Sequence, residues 1–242
     1  MSFPRRLEPE WLDQMPADDP RAIRVRHDLR RVNGLMQNAR CMASALSRHG
    51  AARRPVTIAD LGSGDGAFML QVARQLTPHW PNVRVILQDR QDIVSDATRE
   101  GFAALGWSVE TACADVFDFL DVARLSVDVV TCNLFLHHFN ASQLMRLFEQ
   151  AAHAAWLVLA CEPRRSKFVV RASRLLWVVG CSEVSVHDAV VSARAGFTDA
   201  ELSALWPMQE HWELHERSAA IFTHSFVARR SGSGTAGTAK DP

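Results

Sequence analysis

The sequence predicts an α/β fold: seven strands in a mostly parallel sheet, doubly wound with helices on both faces and closed by an antiparallel last strand. Three observations carry this. First, Val56-Thr57-Ile58-Ala59-Asp60 is a short run rich in β-branched residues that ends in an acid; Gly62, Gly64 and Gly66 follow, then Ala67–Leu76 with helical spacing. That is a strand, a tight turn and a helix. Second, further apolar runs of strand length alternate with helical stretches, the pattern of parallel strands joined by crossovers. Third, Glu210–Arg217 and Ala220–Arg229 follow one another with no helix between them, as antiparallel strands do.

The glycine turn is the centre of the chain. Without Cβ atoms it lets backbone approach a ligand, and the helix behind it presents free N–H groups. Gly62, Gly64 and Ala67 satisfy the dinucleotide pattern Gly-x-Gly-x-x-Gly/Ala, which taken alone leaves a nicotinamide or flavin open. The sharper pattern is acid-x-Gly-x-Gly-x-Gly, with Asp60 two residues before the first glycine. An acid there repels a pyrophosphate and suits an ammonium with a sulfonium nearby. The stretch resembles motif I of the class I S-adenosylmethionine-dependent methyltransferases, whose fold is Rossmann-like.

Composition sets the outer bounds. The chain has 242 residues, enough for one substantial core. Twenty-seven basic and 27 acidic residues balance, so no overall field favours nucleic acid or an anionic membrane, and neither is expected as a partner. Cys41, Cys113, Cys132, Cys161 and Cys181 are widely spaced and odd in number, which argues against a disulfide framework and for small buried side chains. No signal segment and no apolar run of membrane-spanning length occur, so a cytoplasmic location is expected.

The resemblance implies that residues 1–54 form an N-terminal segment that lids the site, with a helix that only packs on the sheet as the alternative. Prolines 4, 9, 16 and 20 break its first part, and one helix is expected from Pro20 to His49, with Leu29, Val32, Met36, Ala39, Ala43 and Leu46 as its buried stripe. Residues 55–229 form the methyltransferase domain and 230–242 a low-complexity, disordered tail.

Within the domain, Val83–Asp89 is a second strand ending in an acid 27 positions after Gly62. Helix Ile93–Leu105, strand Trp107–Cys113, strand Ser126–Asn133, helix Leu144–Ala155 and strand Trp156–Glu162 follow. The resemblance implies a cofactor site of Asp60, Gly62, Ser63, Gly64, Asp89, Arg90, Asp115, Val116 and Asn133. Asp89 would take the ribose hydroxyls. Asp115 would take the adenine amine, with Asp118 and Asp121 near enough to blur the choice and Phe117 available to pack on the ring.

The stretch Asn133-Leu134-Phe135-Leu136-His137-His138-Phe139 lacks the Asn/Asp-Pro-Pro-Tyr/Phe motif of adenine N-methylation and the Pro-Cys nucleophile of pyrimidine attack. It is similar instead to ubiquinone/menaquinone-type and polyketide-pathway methyltransferases. Residues 163–197 read as a substrate cap, with an apolar helix Phe168–Val179 and then His187-Asp188. Thr198–Glu201 reads as a capping box opening a helix to Leu205. The resemblance implies O-methylation of a phenolic or polyketide-type hydroxyl, with C-methylation of an aromatic or enol and a non-catalytic interaction protein as alternatives. His187 ranks first as catalytic base and His138 second, with His137 also a candidate; no metal is expected. Apolar stretches near Trp177 and the N-terminal helix offer either a homodimer face or a pocket lining.

Overall fold

The computed structural model describes residues 3–51, 53–77, 79–121 and 125–232. Its sheet has seven strands: β1 Thr57–Leu61, β2 Arg84–Asp89, β3 Ser108–Cys113, β4 Val129–Asn133, β5 Leu157–Pro163, β6 Trp212–Ser218 and β7 Thr223–Arg230. Their order is β3-β2-β1-β4-β5-β7-β6. Strands β1 to β5 pair in parallel, and β7 runs antiparallel to both β5 and β6. The sheet expected from the sequence is the one observed.

Alternation along the central strands splits the core in two. Ile58, Val129, Leu157 and Leu159 face the helices α2 Asn38–His49, α3 Ala67–Leu76 and α4 Asp96–Ala103. Ala59, Leu61, Val130 and Ala160 face α5 Val116–Asp121 and α6 Ala141–Ala154. β1 lies between β2 and β4, so the strand order reverses there and the carboxyl ends of three strands open into one crevice.

Several elements differ from the sequence reading. The N-terminal helix is two helices, α1 Pro20–Met36 and α2, because Gln37 turns into the left-handed region at φ 56°. Tertiary hydrogen bonds capture the break: Thr223 Oγ1 donates to Met36 O at 3.1 Å and to Asn38 Oδ1 at 2.7 Å. Met36, Ala39, Ala43 and Leu46 are buried as expected, while Leu29 and Val32 face a cavity. α4 starts at Asp96, where the Ser95 hydroxyl caps the Thr98 N–H. The apolar cap helix is shorter, α7 Lys167–Ser173, and a separate 3-10 turn covers Leu176–Val179. His187 and Asp188 lie inside α8 Glu183–Ala195.

No α-helix follows Thr198 among the described residues. The Glu201 carboxylate that accepts the Thr198 N–H is also bound by the buried Arg165 guanidinium at 2.5 and 2.9 Å, and only a 3-10 turn at Ser203–Leu205 forms. Cys132, Cys161 and Cys181 are buried, but Cys113 is exposed because β3 is an edge strand. The expected disordered tail lies outside the described residues from 233 onward. No helix among the described residues is long and apolar enough to cross a membrane.

Candidate active site

A cavity of about 1000 Å³ opens over the carboxyl ends of β1, β2 and β4. Its wall includes Asp60, Gly62, Ser63, Gly64, Asp89, Arg90, Asp115, Val116 and Asn133, so the nine residues expected around a cofactor share one space.

The glycine turn builds the floor. Gly62, Gly64 and Gly66 have φ of +65°, +55° and +74°, conformations that cost a side-chain-bearing residue about 1–2 kcal/mol. Their surroundings differ. A Cβ on Gly62 would stand 2.1 Å from the Phe135 ring, and one on Gly66 2.7 Å from Leu87, whereas one on Gly64 would meet nothing within 4 Å. Gly64 is thus the position open to a ligand, while the other two serve packing. Asp89 holds the loop from the neighbouring strand by accepting the Gly64 N–H at 2.9 Å.

Asp60 is fully buried beside this loop. Its one recorded partner is the Thr131 hydroxyl at 2.7 Å, and no cation pairs with it among the described residues. Burial pushes its carboxyl up to about 7; Thr131 opposes the shift and the nearby Asp89 charge adds to it. A buried carboxylate without a cation is costly to ionise, so this site favours a cationic ligand group. Ser63 Oγ, also on the wall, is buried with no hydrogen-bond partner. The open space at Gly64, the uncompensated Asp60 and the orphaned Ser63 hydroxyl all fit S-adenosylmethionine, which brings an ammonium, a sulfonium and polar ribose and adenine groups.

The remaining wall side chains are held partly by local and partly by tertiary contacts. Asp115 is exposed on the wall and caps α5 through the Phe117 N–H at 2.8 Å. Phe117 points elsewhere, packing edge-on against Phe139 beneath the Arg146 guanidinium; Asp118 and Asp121 are not on the wall. Asn133 joins an amide chain: it donates to Asn33 at 3.0 Å and accepts from Asn38 at 2.8 Å.

Leu134, with φ 52°, turns the chain sharply after β4. The next N–H groups then converge on Glu162 at the end of β5. Its carboxylate accepts Phe135 N and Leu136 N at 2.9 Å, His137 N at 3.3 Å and His137 Nδ1 at 2.8 Å. His137 Nε2 lies 3.2 Å from Glu10, which also accepts the Ser192 hydroxyl. Burial works against the His137 charge, but the hydrogen bonds to Glu10 and Glu162 prevail and lift it to about 9. His137 is an imidazolium locked between two carboxylates. Glu10, His137 and His138 place ligand atoms within 4.8 Å of one another. Glu162 and Ser192 complete this group, so Glu10 and His137 form a closed hydrogen-bond chain.

The two expected bases part here. His138 lines the cavity, partly open, with Nδ1 3.3 Å from Asp13 Oδ2. His187 does not line it: its ring stacks on Trp11 with centroids 3.8 Å apart, and its Nδ1 lies 2.9 Å from Asp188. The Asp188 carboxylate also accepts the Trp11 and Leu12 N–H groups at 2.9 and 3.0 Å.

Glu10 and Asp13 also belong to this site. No local signal marks them, since their partners lie more than 120 residues away. The same holds of Arg5. It donates to Ala195 O at 2.6 Å, Phe139 O at 2.8 Å and His137 O at 3.0 Å, pinning the N-terminal segment to the end of α8 and the turn after β4.

The parallel sheet with its reversal at β1, the glycine turn and the cation-ready acid are the features of the class I methyltransferase fold. A family model described as a methyltransferase domain matches residues 58–155, from β1 to the end of α6. The chain carries a methyltransferase domain over these residues, and that domain implies S-adenosylmethionine as cofactor. None of the curated proteins matches the sequence. Among solved structures, an O-methyltransferase family protein from Burkholderia thailandensis is similar at 20% identity and TM-score 0.57, over 90% of this chain and 63% of that one. The mitomycin 7-O-methyltransferase MmcR is similar at 18% identity and TM-score 0.60, over 91% and 60%. The plantazolicin methyltransferase BamL, crystallised with a triazolic desmethylPZN analogue and SAH, is similar at 13% identity and TM-score 0.63, over 90% and 92%. At these identities the likeness is one of fold. The chain spans about three fifths of the length of the Burkholderia and mitomycin proteins.

Proposed function

We propose that this protein methylates a hydroxyl group of a small, mainly apolar aromatic acceptor, with His138 as the base. The observation that carries the reading is the His138–Asp13 pair on the wall of the cavity that also holds the cofactor cradle. The cofactor supplies a methyl group already activated by its sulfonium. What remains for the chain is to align the acceptor, exclude water and take a proton. A phenol of pKa about 10 is mostly protonated at neutral pH and needs a base. Asp13 beside Nδ1 favours the tautomer with its proton there and leaves Nε2 to accept. The other wall residues fit an apolar ring: Val25, Leu29, Val32, Phe139 and Leu176 surround the space. The fold's likeness to O-methyltransferases supports the choice of oxygen.

In this reading residues 3–19 and α1 are the lid, and α7 to α8 the acceptor cap. His187 holds the lid through Trp11 instead of taking the proton.

The test is turnover of a panel of phenols and hydroxylated polycycles, followed by product mass. His138→Ala should lower turnover by about 10²–10⁴ at neutral pH. Cofactor affinity should stay within about twofold, roughly 0.4 kcal/mol. The deficit should shrink as pH approaches the acceptor's own pKa. Near-normal turnover at pH about 7, or a deficit independent of pH, would leave alignment as the whole mechanism.

A further inference from the structure

The cap segment 164–182 carries a feature that methyl transfer does not use. Arg164, Arg165, Lys167, Arg171 and Arg174 lie in it with no acid, in a chain whose net charge is zero. Arg165 is buried and paired with Glu201. Lys167, Arg171 and Arg174 are exposed, and none of them pairs with an acid among the described residues. Lys167 and Arg171 on α7 and Arg174 at its C-cap are spaced four and three apart and share one face.

The same segment exposes large apolar side chains. Phe168, Leu175, Trp177 and Val178 are 58–65% exposed, and Val179 is 47% exposed. Five such residues within twelve positions exceed the scattered exposure normal for a soluble surface. The segment is also two-sided: Val169, Ala172 and Leu176, interleaved with the exposed residues, line the cavity. Phe222, another wall residue, stacks on exposed Phe168 at 6.1 Å. The apolar surface is therefore continuous from solvent into the acceptor space.

We propose that this face, α7 with the 3-10 turn that follows, lies on an anionic lipid surface. Unpaired cations beside a tryptophan and aliphatic side chains match both layers of such a surface: headgroup phosphates for the cations, the acyl boundary for Trp177 and Val178. A second copy of this chain would set the same cations against each other. The interaction is peripheral. It reverses the expectation, drawn from overall charge balance, that no membrane is involved, because the relevant charge is local. Resting on the function proposed above, it names the acceptor class: a lipophilic phenol dissolved in the bilayer, entering the cavity past Leu176 without crossing water.

The test is co-sedimentation with phosphatidylcholine vesicles with and without phosphatidylglycerol, with no acceptor or cofactor present. The wild type should pellet with the anionic vesicles and stay in solution with the neutral ones, and added salt should release it. Each surface cation contributes about fivefold to partitioning, so Arg171→Ala with Arg174→Ala should weaken it about 25-fold. Trp177→Ser with Val178→Ser should weaken it as well. Unchanged S-adenosylmethionine binding in both variants establishes that they are folded. Equal partitioning to both vesicle types overturns the proposal, as does a dimer in light scattering that Val178→Ser dissolves. Intact vesicle binding with no methylated product from any acceptor would leave the surface standing and remove the function.

Discussion

Asp60 sets burial against charge. The fold keeps its carboxyl buried and lifts its pKa to about 7, and a cationic ligand relieves that cost. Protonated Asp60 cannot pair with an ammonium. Affinity for S-adenosylmethionine should therefore fall as pH drops through about 7, approaching tenfold per unit below it. Calorimetry across that range, in buffers of different ionisation heat, should show a proton released on binding. Asp60→Asn should cost about 1.5–3 kcal/mol of binding and flatten the pH profile. A pH dependence that survives the substitution would assign the proton elsewhere. His137 behaves oppositely. Its pKa is raised from 6.5 to about 9, so its contribution to stability is full below 6.5 and is lost as pH rises through 9. That contribution is roughly 3 kcal/mol. Urea midpoints should decline across this window in the wild type and not in His137→Gln, which cannot titrate.

The N-terminal segment is an element held by buried acids instead of an apolar seam. Asp188 takes the Trp11 and Leu12 N–H groups. Asp28 on α1 takes the Ser182 N–H at 2.7 Å and the Ser185 hydroxyl at 2.8 Å, tying α1 to the start of α8. These bonds join residues 11–12 and α1 to α8. Removing residues 1–19 deletes Glu10 and Asp13 together. It should lower turnover at least as far as His138→Ala does, while cofactor affinity, set by β1, β2 and β4, stays within a few fold. A truncated protein with full turnover would reduce the segment to packing. Asp28→Ala leaves Ser185 without its acceptor in a buried setting and should cost about 1–3 kcal/mol, read from denaturation midpoints.

At the scale of the whole molecule, the cofactor is a source of stability. The cradle joins β1, β2 and β4 at the middle of the sheet, so a ligand bound there holds both halves of the core. At about 100 times its Kd a ligand adds about 2.7 kcal/mol. For a chain of this size that is a rise in Tm of roughly 5–10 °C. S-adenosylmethionine or its demethylated product should produce it in a thermal scan and NAD should not. A shift with NAD would return the glycine turn to the dinucleotide reading.

What was legible in the sequence is what short-range physics dictates. Strand alternation, the acid before Gly62 and the glycines themselves are local patterns, because a turn with positive φ and a strand with two buried faces constrain the residues that form them. The residues expected around a cofactor are grouped in the same way: each lies at or within a few residues of the carboxyl end of a parallel strand, where the fold brings strand ends together. The acceptor side was not readable. Its pairings join Asp13 to His138, Glu10 to His137 and Asp188 to Trp11, across more than a hundred residues of chain. Adjacent His137 and His138 carry no sequence sign of which is clamped and which is free; Glu162, brought in by β5, decides that. The break at Gln37 is likewise settled by Thr223 on the far strand β7. Sequence periodicity reports which face of an element is buried, and only the packed tertiary structure decides which buried polar groups find each other.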